Sequence, residues 1–201
     1  MGCGGILCCI PKCICKMILS ALIALGILAL IIWFTLRPIN PLKIHVQDAS
    51  LTPFNLTDNS ILFYNLAVAL NIRNPNKKIG VYYEQIEARA FYDSQRFDSV
   101  TLTPFYQGHK NTTILLPVFE GHKLLPSVQD EYSKDKIDGK FKILVEVYLK
   151  MTFKAGVIYT WNNISSINTP KLKHRVTCEF EVPLGSNPAV GFHPEKCIFG
   201  Y

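Results

Sequence analysis

The chain of 201 residues is long enough for one domain and an accessory segment. Hydrophobic residues make up 49% and charged residues 18%, which excludes an intrinsically disordered protein, because disorder requires low hydrophobicity and high charge. The formal net charge is +6, yet the sequence has neither a basic stripe interleaved with exposed aromatic residues nor a reading helix, so we expect no nucleic-acid partner.

The first predicted element is a membrane-spanning helix over residues 17–36. The run contains no charged residue, Lys16 and Arg37 bound it, and Trp33 lies near one end. Twenty helical residues rise roughly 30 Å, which matches the hydrocarbon core of a bilayer. A cleaved signal peptide would have a shorter apolar run followed by small residues at a cleavage site, and this run ends without them. We therefore predict an uncleaved signal-anchor with the lipid bilayer as its partner.

A cysteine-rich tail, residues 1–16, precedes the predicted anchor. Cysteines beside a transmembrane helix are candidates for S-acylation. Zinc binding is the rival interpretation, but the tail has no paired C-x2-C units and no histidine. Gly2 begins like a myristoylation motif, but Ile6 stands where Ser or Thr is required. We predict acylation at one or more of the five tail cysteines, Cys3, Cys8, Cys9, Cys13 and Cys15.

The number of Lys and Arg residues beside the anchor does not decide its orientation. Lys12 and Lys16 precede the run, and Arg37 and Lys43 follow it. Three N-glycosylation sequons all lie on the C-terminal side, and the tail is short and free of acids. We expect a single-pass plasma-membrane protein with a cytoplasmic N-terminus and an extracellular C-terminal domain; unused sequons in a cytosolic domain are the alternative. The predicted glycosylation sites are Asn55, Asn111 and Asn163.

After a linker, residues 37–43, the hydrophobic pattern changes to the period of two that is typical of half-buried strands. Residues 141–153 and 172–182 alternate most clearly, with apolar side chains at every second position. Strands with one polar face must bury the other face against a second sheet. We predict a mainly β domain, residues 44–201, that forms a fibronectin III-like antiparallel β-sandwich of seven or eight strands. A further strand is predicted at 66–73, where large apolar residues share one face, and weaker strands are predicted at 43–52, 81–92, 97–102, 111–119 and 157–160.

One stretch of the domain has helical spacing. Leu124, Leu125, Val128 and Tyr132 recur on one helical face, and Pro126 fits a first turn. We predict a short amphipathic helix at residues 123–134 that packs over an opening of the sandwich.

Two cysteines near the C-terminus, Cys178 and Cys197, lie outside the tail. Proline and glycine residues between them can turn the chain back, so that the terminal segment pairs beside its own strand. In an oxidising compartment a disulfide would close a loop of about 20 residues and contribute roughly 3 kcal/mol. In a cytosolic domain both would be buried thiols.

The sequence contains no motif of an enzyme or a cofactor site. The five histidines are scattered and form no H-E-x-x-H pair, and the nucleophile elbow, the phosphate loop and the dinucleotide fingerprint are missing. We expect a protein that is not an enzyme and has no metal or cofactor.

The segment Asn74-Pro75-Asn76 follows a predicted strand that ends at Arg73. Proline fixes φ for a turn and the second asparagine tolerates the left-handed region. The pattern predicts that the two lysines project from the loop, that the glycine lets the chain re-enter the sheet, and that only one of the two tyrosines lies in the core. It fits either the turn geometry of a sandwich corner or a contact site for a partner or for anionic groups. The residues concerned are Asn74, Pro75, Asn76, Lys77, Lys78, Gly80, Tyr82 and Tyr83.

Residues 74–83 (NPNKKIGVYY) resemble the central motif of the plant non-race-specific disease resistance/harpin-induced-like family. Residues 104–113 (PFYQGHKNTT) resemble its second motif. The order of tail, anchor and β domain is also similar, over roughly residues 17–201. The resemblance implies a late embryogenesis abundant group 2 domain in a plasma-membrane protein of plant defence and stress signalling.

Lys171, Lys173 and Arg175 share the polar face of one predicted strand. This concentration of positive charge fits attraction to an acidic surface, and a solvated sheet face explains it equally well.

Two functions follow from these features. The first is a membrane-anchored, non-enzymatic interaction protein with unidentified protein partners in defence signalling; homo-oligomers are left open. The alternative is a stress-protective module that binds lipids or other apolar ligands. An exposed apolar groove under the predicted helix would favour the alternative, and a well-packed core would favour the first.

Overall fold

The computed structural model describes residues 9–35, 40–160, 163–168, 171–185 and 192–200. The chain divides into two compact units, Met1–Ile39 and Asn40–Tyr201. Unit 1 contains helix α1, Cys9–Thr35, which begins earlier than the predicted anchor. Pro11 falls in its first turn, where a missing amide hydrogen removes no helical hydrogen bond. The side chains of residues 14–30 are exposed within this unit.

No helix in the described part of the chain is both long and apolar enough to cross a membrane.

Unit 2 consists of β-strands and one short helix. The described strands in chain order are β1 Lys43–Leu56, β2 Ile61–Arg73, β3 Ile79–Tyr92, β4 Gln95–Leu102, β5 Phe105–Gln107, β6 Thr112–Leu115, β7 Val118–Leu124, β8 Lys140–Thr160, β9 Asn163–Asn168, β10 Leu172–Pro183, β11 Glu195–Lys196 and β12 Ile198–Gly200. Helix α2, Gln129–Asp138, lies between β7 and β8.

These strands form two antiparallel sheets. The five-stranded sheet has the order β11-β1-β2-β6, and β7 also pairs with β2. The seven-stranded sheet has the order β12-β10-β8-β3-β4, with β5 added to β3 and β9 added to β8. The predicted mainly β, antiparallel architecture is confirmed, but the described residues hold twelve strands rather than seven or eight. Strands as short as β11 and β12, with two and three residues, contain too few positions to show a hydrophobic period of two.

The inward side chains of both sheets form one buried cluster, which makes the fold a sandwich. In β8 the apolar positions from Phe141 to Phe153 are all buried, as their alternation predicted. From the other sheet, Leu62, Leu66 and Leu70 are fully buried. Every core residue in the described part of the chain lies within unit 2.

The predicted boundaries of the short helix, 123–134, were wrong. The β2–β7 ladder continues to the pair Ile61–Leu124, so Leu124 belongs to a strand and its side chain is 61% exposed. The helix begins only after the turn that contains Pro126, and it ends at Gly139, which takes a left-handed φ of 70°. The rest of the predicted apolar stripe, Leu125, Val128 and Tyr132, is buried.

The sandwich has two distinct ends. β1 begins opposite the end of β2, with Lys43 paired to Arg73, and ends where Leu56 pairs with Leu62. We call the end at which Lys43 pairs with Arg73 the motif end, because Asn74-Pro75-Asn76 lies there together with Asn40. We call the other end the helix end, because α2 packs over it through the bond from the Tyr132 hydroxyl to the Phe54 carbonyl.

Candidate functional site

The side chain of Asn74 holds together three segments of the motif end. Its Nδ2 donates to the carbonyl oxygens of Ile79 (2.8 Å) and Gly108 (3.0 Å). Its Oδ1 accepts from both the backbone N and the Nδ2 of Asn76, at 3.1 and 3.0 Å. Asn74 is fully buried, so each of these bonds satisfies a group that water does not reach. An amide is required here because it supplies two donors and an acceptor on one short side chain.

Asn76 ties the beginning of the domain to the same cluster. Its Oδ1 accepts from the backbone N of Asn40 at 2.8 Å, and its Nδ2 donates to the Asn40 carbonyl at 3.0 Å. Its backbone carbonyl accepts from the amide of Lys110. Positive φ angles outside glycine occur at Ser60, Asp93, Ser94 and Lys110 in the described residues, so the left-handed conformation expected of Asn76 is not found. The hydrogen bonds of its buried side chain, rather than its backbone conformation, explain why an asparagine fits this position.

Gln107 is a site residue whose role the sequence did not predict. It is completely buried, and its Nε2 donates to the carbonyl of Ile72 and to Oγ1 of Thr113. Its Oε1 accepts from the hydroxyl of Tyr83, whose pKa is raised by burial. The available signal was a glutamine directly after two aromatic residues of the second motif, Phe105 and Tyr106, because glutamine is an unusual residue for a buried position in a strand. Both sequence motifs therefore meet in one amide network.

Gly80 has a packing role rather than the predicted turn role. It lies inside β3, and an added methyl group would collide with the ring of Tyr106, with a ring carbon only 2.7 Å away. Tyr83 is buried and stacks on Phe105 at 4.5 Å between ring centroids, while Tyr82 is 37% exposed. The prediction that only one of the two tyrosines lies in the core is confirmed.

The exposed part of the motif is cationic. Lys77 and Lys78 project into solvent, as the turn predicted. The Nζ of Lys154 lies over two exposed rings, 5.3 Å from the centroid of Tyr82 and 5.8 Å from that of Tyr106. The asparagines of the motif thus set the geometry of a corner, as the first interpretation predicted. Contact with a partner through Lys77, Lys78 and the exposed Tyr82 stays a prediction.

The three sequons lie in different surroundings. Asn55 is exposed near the helix end, and Asn111 is exposed at the motif end. Asn163 begins β9, and its side chain is not among those described. Glycosylation itself stays a prediction at all three positions.

The C-terminal cysteines form a disulfide, with 4.3 Å between their Cα atoms. Cys178 is on the inward face of β10, and Cys197 lies between β11 in one sheet and β12 in the other. β12 pairs beside β10, the arrangement expected for the terminal segment. The bridge therefore fixes the point at which the C-terminal segment passes between the sheets.

The tail cysteines are only partly described. Cys15 is an exposed free thiol. Cys9 and Cys13 lie in α1 without described side chains, and Cys3 and Cys8 lie outside the described residues. Their acylation remains a prediction.

Acidic partners partly neutralise the predicted basic strand face. The Nζ of Lys171 is 3.0 Å from Glu84, and the Nη1 of Arg175 is 3.6 Å from Glu146. The hydrogen bond from Lys171 is the main cause that lowers the pKa of Glu84. Lys173 borders a shallow groove of about 380 Å³ on this face. Other residues that line the groove are Gln85, Glu87, Tyr148, Leu149, Lys150, His174, Arg175 and Gly200.

The space beneath α2 is filled by aromatic rings. Phe54 lies 4.8 Å from Phe141 and 5.1 Å from Tyr92 between ring centroids, and Tyr132 packs beside them. The apolar groove that would favour a ligand-binding module is thus not found under this helix. Across the described ranges, no three His, Cys, Asp or Glu side chains are grouped so as to hold a metal ion.

Comparison with known proteins places these features in a family. A family model described as late embryogenesis abundant protein matches residues 69–161. NDR1/HIN1-like protein 10 of Arabidopsis thaliana is 40% identical over 209 residues, covering 100% of this chain and 86% of the relative. NDR1/HIN1-like protein 3 of the same organism is 40% identical over 188 residues, covering 90% and 77%.

A solution structure of an Arabidopsis thaliana protein covers 73% of this chain and 84% of that chain at 12% identity, with a TM-score of 0.37. This score is too low to support an argument about the fold. The sequence comparisons do support common ancestry, and the residues that they match include both motifs that meet in the amide network. The chain belongs to the NDR1/HIN1-like family and carries its late embryogenesis abundant domain.

Proposed function

We propose that this protein is a non-enzymatic interaction protein, anchored in the plasma membrane, that acts in plant defence and stress signalling. The observation that carries the proposal is the 40% identity to an NDR1/HIN1-like protein over the whole chain, which includes the apolar segment as well as the β domain. A sandwich whose core is filled at the helix end supports a role through surface contacts rather than through an enclosed ligand.

The proposed anchor is the uncharged run of residues 17–36, within α1 and the residue that follows it. The proposed topology has the N-terminus in the cytoplasm and the β domain outside the cell. Two features support it: three sequons on the C-terminal side, and the pairing of Cys178 with Cys197, which suits an oxidising compartment.

The anchor is tested by two charged substitutions, Leu22→Asp with Leu28→Asp. An aspartate at the centre of a membrane helix costs about 2.5–3.5 kcal/mol on insertion scales. We expect the wild type to stay in the membrane pellet after alkaline extraction and the Asp variant to move to the supernatant. The matched control, Leu22→Ala with Leu28→Ala, stays in the pellet. Hydroxylamine treatment removes thioester-linked acyl chains from all samples, so an Asp variant that still pellets would contradict the anchor.

Topology and signalling need separate measurements. Glycosidase treatment and protease protection of sealed plasma-membrane vesicles report the side of the β domain; an unglycosylated domain on the cytoplasmic side would reverse the proposed orientation. In plants that lack the protein, the wild-type chain should restore cell death on pathogen challenge and the Asp variant should not. Equal restoration by both would show that the anchor is not needed for signalling.

A further inference from the structure

The motif end carries a concentration of positive charge. Its surface is formed by residues 40–45, 71–83, 105–114 and 152–154, and none of these four segments contains an aspartate or a glutamate. The neighbouring strand β11, which pairs with His45 and Val46, adds Lys196 and Glu195, whose charges offset each other. Strand pairing brings the segments together, because Lys43 faces Arg73, Arg73 faces Thr112, and Gly80 faces Lys154. The exposed cations of this surface are Lys43, Arg73, Lys77, Lys78, Lys110 and Lys154.

These cations keep their charge free for an external partner. The ion pairs found among the described residues involve none of the six. The acid that follows the surface in sequence, Glu84, is already engaged by Lys171 at 3.0 Å and by the hydroxyl of Thr152 at 3.1 Å. The basic strand face differs in this respect, because two of its three cations contact acids.

Exposed aromatic residues lie among the cations, contrary to the expectation from the sequence, because strand pairing rather than spacing along the chain brings them together. The side chain of Tyr106 is 55% exposed and that of Tyr82 is 37% exposed, with the ammonium group of Lys154 over both rings. Tyrosine and lysine both have an apolar body and a polar tip, so they favour the boundary between hydrocarbon and water. A surface that bound only a soluble polyanion would have no need of exposed rings at this density.

The opposite end of the domain has the opposite charge. Helix α2 contains Asp130, Glu131, Asp135 and Asp138 against Lys134 and Lys136, a net charge of 2 − 4 = −2. The sandwich is therefore polarised along its long axis, and an anionic surface would orient it with the motif end inward.

We propose that the motif end is a docking face for the anionic headgroup surface of a lipid bilayer. Asn40, where the chain enters the domain, is hydrogen-bonded to Asn76 inside this face, so the chain that leads from the proposed anchor joins the domain at the docking face. The face extends the proposed function from attachment to orientation, and it rests on that proposal only for the closeness of a bilayer. Its partner is the anionic headgroups of whichever leaflet faces the domain, so the docking proposal does not depend on the proposed topology, and phosphatidylserine serves in the test as a probe of negative surface charge. Docking would direct the helix end and its acidic surface away from the membrane.

The first test measures the domain without the anchor, because residues 40–201 form a compact unit that contains every described core residue. This fragment should sediment with phosphatidylcholine vesicles that include phosphatidylserine and not with vesicles of phosphatidylcholine alone. Lys77→Ala with Lys78→Ala should weaken binding about 30-fold, from roughly 1 kcal/mol for each basic residue near the surface. The matched control, Lys134→Ala with Lys136→Ala, makes the same change of charge at the helix end and should change binding less than about twofold.

Three results would overturn the proposal. The first is equal binding to both kinds of vesicle, and the second is equal weakening by the two double variants. The third is binding to soluble polygalacturonate with none to anionic vesicles, which would assign the face to an acidic polysaccharide. Since no arm uses the anchor, these failures are distinguishable from failure of alkaline extraction.

The second test uses the full chain with its native modifications in nanodiscs, since a glycan on Asn111 would stand in the docking face. Amine acetylation followed by mass spectrometry compares anionic with neutral nanodiscs. Lys77, Lys78 and Lys154 should react several-fold more slowly in the anionic discs, and high salt should remove the difference because it screens the attraction. Lys134 should react equally in both. Equal rates for all four lysines would show that the native protein does not dock.

Discussion

The two ends of the sandwich are closed by different chemistry. At the helix end, Phe54, Tyr92, Tyr132 and Phe141 pack ring against ring beneath α2. At the motif end, amide side chains and one buried tyrosine hydroxyl close the structure by hydrogen bonds, with Asn74 at the centre. Ring packing is tolerant of direction, whereas hydrogen bonds fix both distance and angle. The end with the more strictly fixed loops is also the end that presents free cations.

This difference suggests a division of roles within the domain. An aromatic cluster supplies burial and so contributes stability, and its outer surface is left to one amphipathic helix. An amide network contributes less burial but specifies one arrangement of the loops that carry Lys77, Lys78 and Lys110. The following predictions, which concern residues 40–201 and their unfolding by urea, are ordered from the largest expected effect to the smallest.

Phe54→Ala should break the helix end. Phe54 is 1% exposed and contacts four other rings, so its removal leaves a cavity and should lower the free energy of unfolding by about 3–5 kcal/mol. Phe63→Ala is the control, because that ring is 44% exposed and its described ring contact is with His122. Similar losses for the two variants would mean that the aromatic cluster does not dominate this end.

Asn74→Ala should break the motif end. It leaves the partly buried carbonyls of Ile79 and Gly108 and the buried amide of Asn76 without this partner, and an unsatisfied buried group costs about 1–3 kcal/mol. We expect a loss of about 2–4 kcal/mol after partial relaxation. Asn71→Ala removes a single 3.4 Å bond to Gln47 and should cost less than about 1 kcal/mol. If both substitutions were equally mild, the amide network would not be what closes this end.

Gly80→Ala tests the close approach of Tyr106. The added methyl group must displace the ring, for which we expect a loss of about 1–3 kcal/mol. In a Tyr106→Ala background the same change should be nearly neutral, so a double-mutant cycle should show strong coupling. Gly108→Ala is the control, because an added methyl group there meets no atom within 4 Å. Additive effects of the two substitutions would exclude the ring as the cause.

Alkaline pH should weaken both ends through their buried tyrosines. Burial, with Asp98 as a second cause, raises the pKa of Tyr64 to about 12, and burial also raises the pKa of Tyr83 and of Tyr92. Because the folded pKa lies above the unfolded value of about 10, their contribution to stability is complete below pH ~10 and is lost as the pH rises through the folded pKa. Each such tyrosine steepens this decline by up to about 1.4 kcal/mol per pH unit.

Tyr64→Phe should make the decline shallower between pH ~10 and ~12. Phe63→Leu, which changes a 44% exposed ring and removes no titratable group, is the control and should keep the wild-type slope. Urea unfolding at several pH values measures both. An unchanged slope for Tyr64→Phe would exclude this residue from the alkaline transition.

Much of the fold could be predicted from period and composition. The alternation from Phe141 to Phe153 predicted both the strand and its buried face, because side chains of a strand point alternately to opposite sides. The helix was predicted to begin six residues and to end four residues too early, since Leu124 and Leu125 fit a helical stripe as well as the end of a strand. Pairing with Ile61 decided between them, and such long-range pairing is not visible in a local pattern.

The candidate site was only partly predictable, for the same reason. The sequence showed that residues 74–83 and 104–113 form two motifs and that Lys77 and Lys78 are exposed. It could not show that Gln107 bonds to Tyr83, or that Tyr106 lies over Gly80, because both contacts join positions 24 to 26 residues apart.

The sequence by itself determined the apolar segment, the antiparallel β domain, the family and the pair of C-terminal cysteines, because each depends on composition, period or motif along the chain. The tertiary structure decided which asparagines are buried, how the C-terminal segment passes between the sheets, and which charges meet. Cations spread from Lys43 to Lys154 form one surface only because antiparallel strands bring the ends of β1, β2, β3 and β8 together, while acids elsewhere neutralise the more obvious basic strand. The charged residues can be identified from the sequence, but the strength of their interactions depends on distances that only the fold sets.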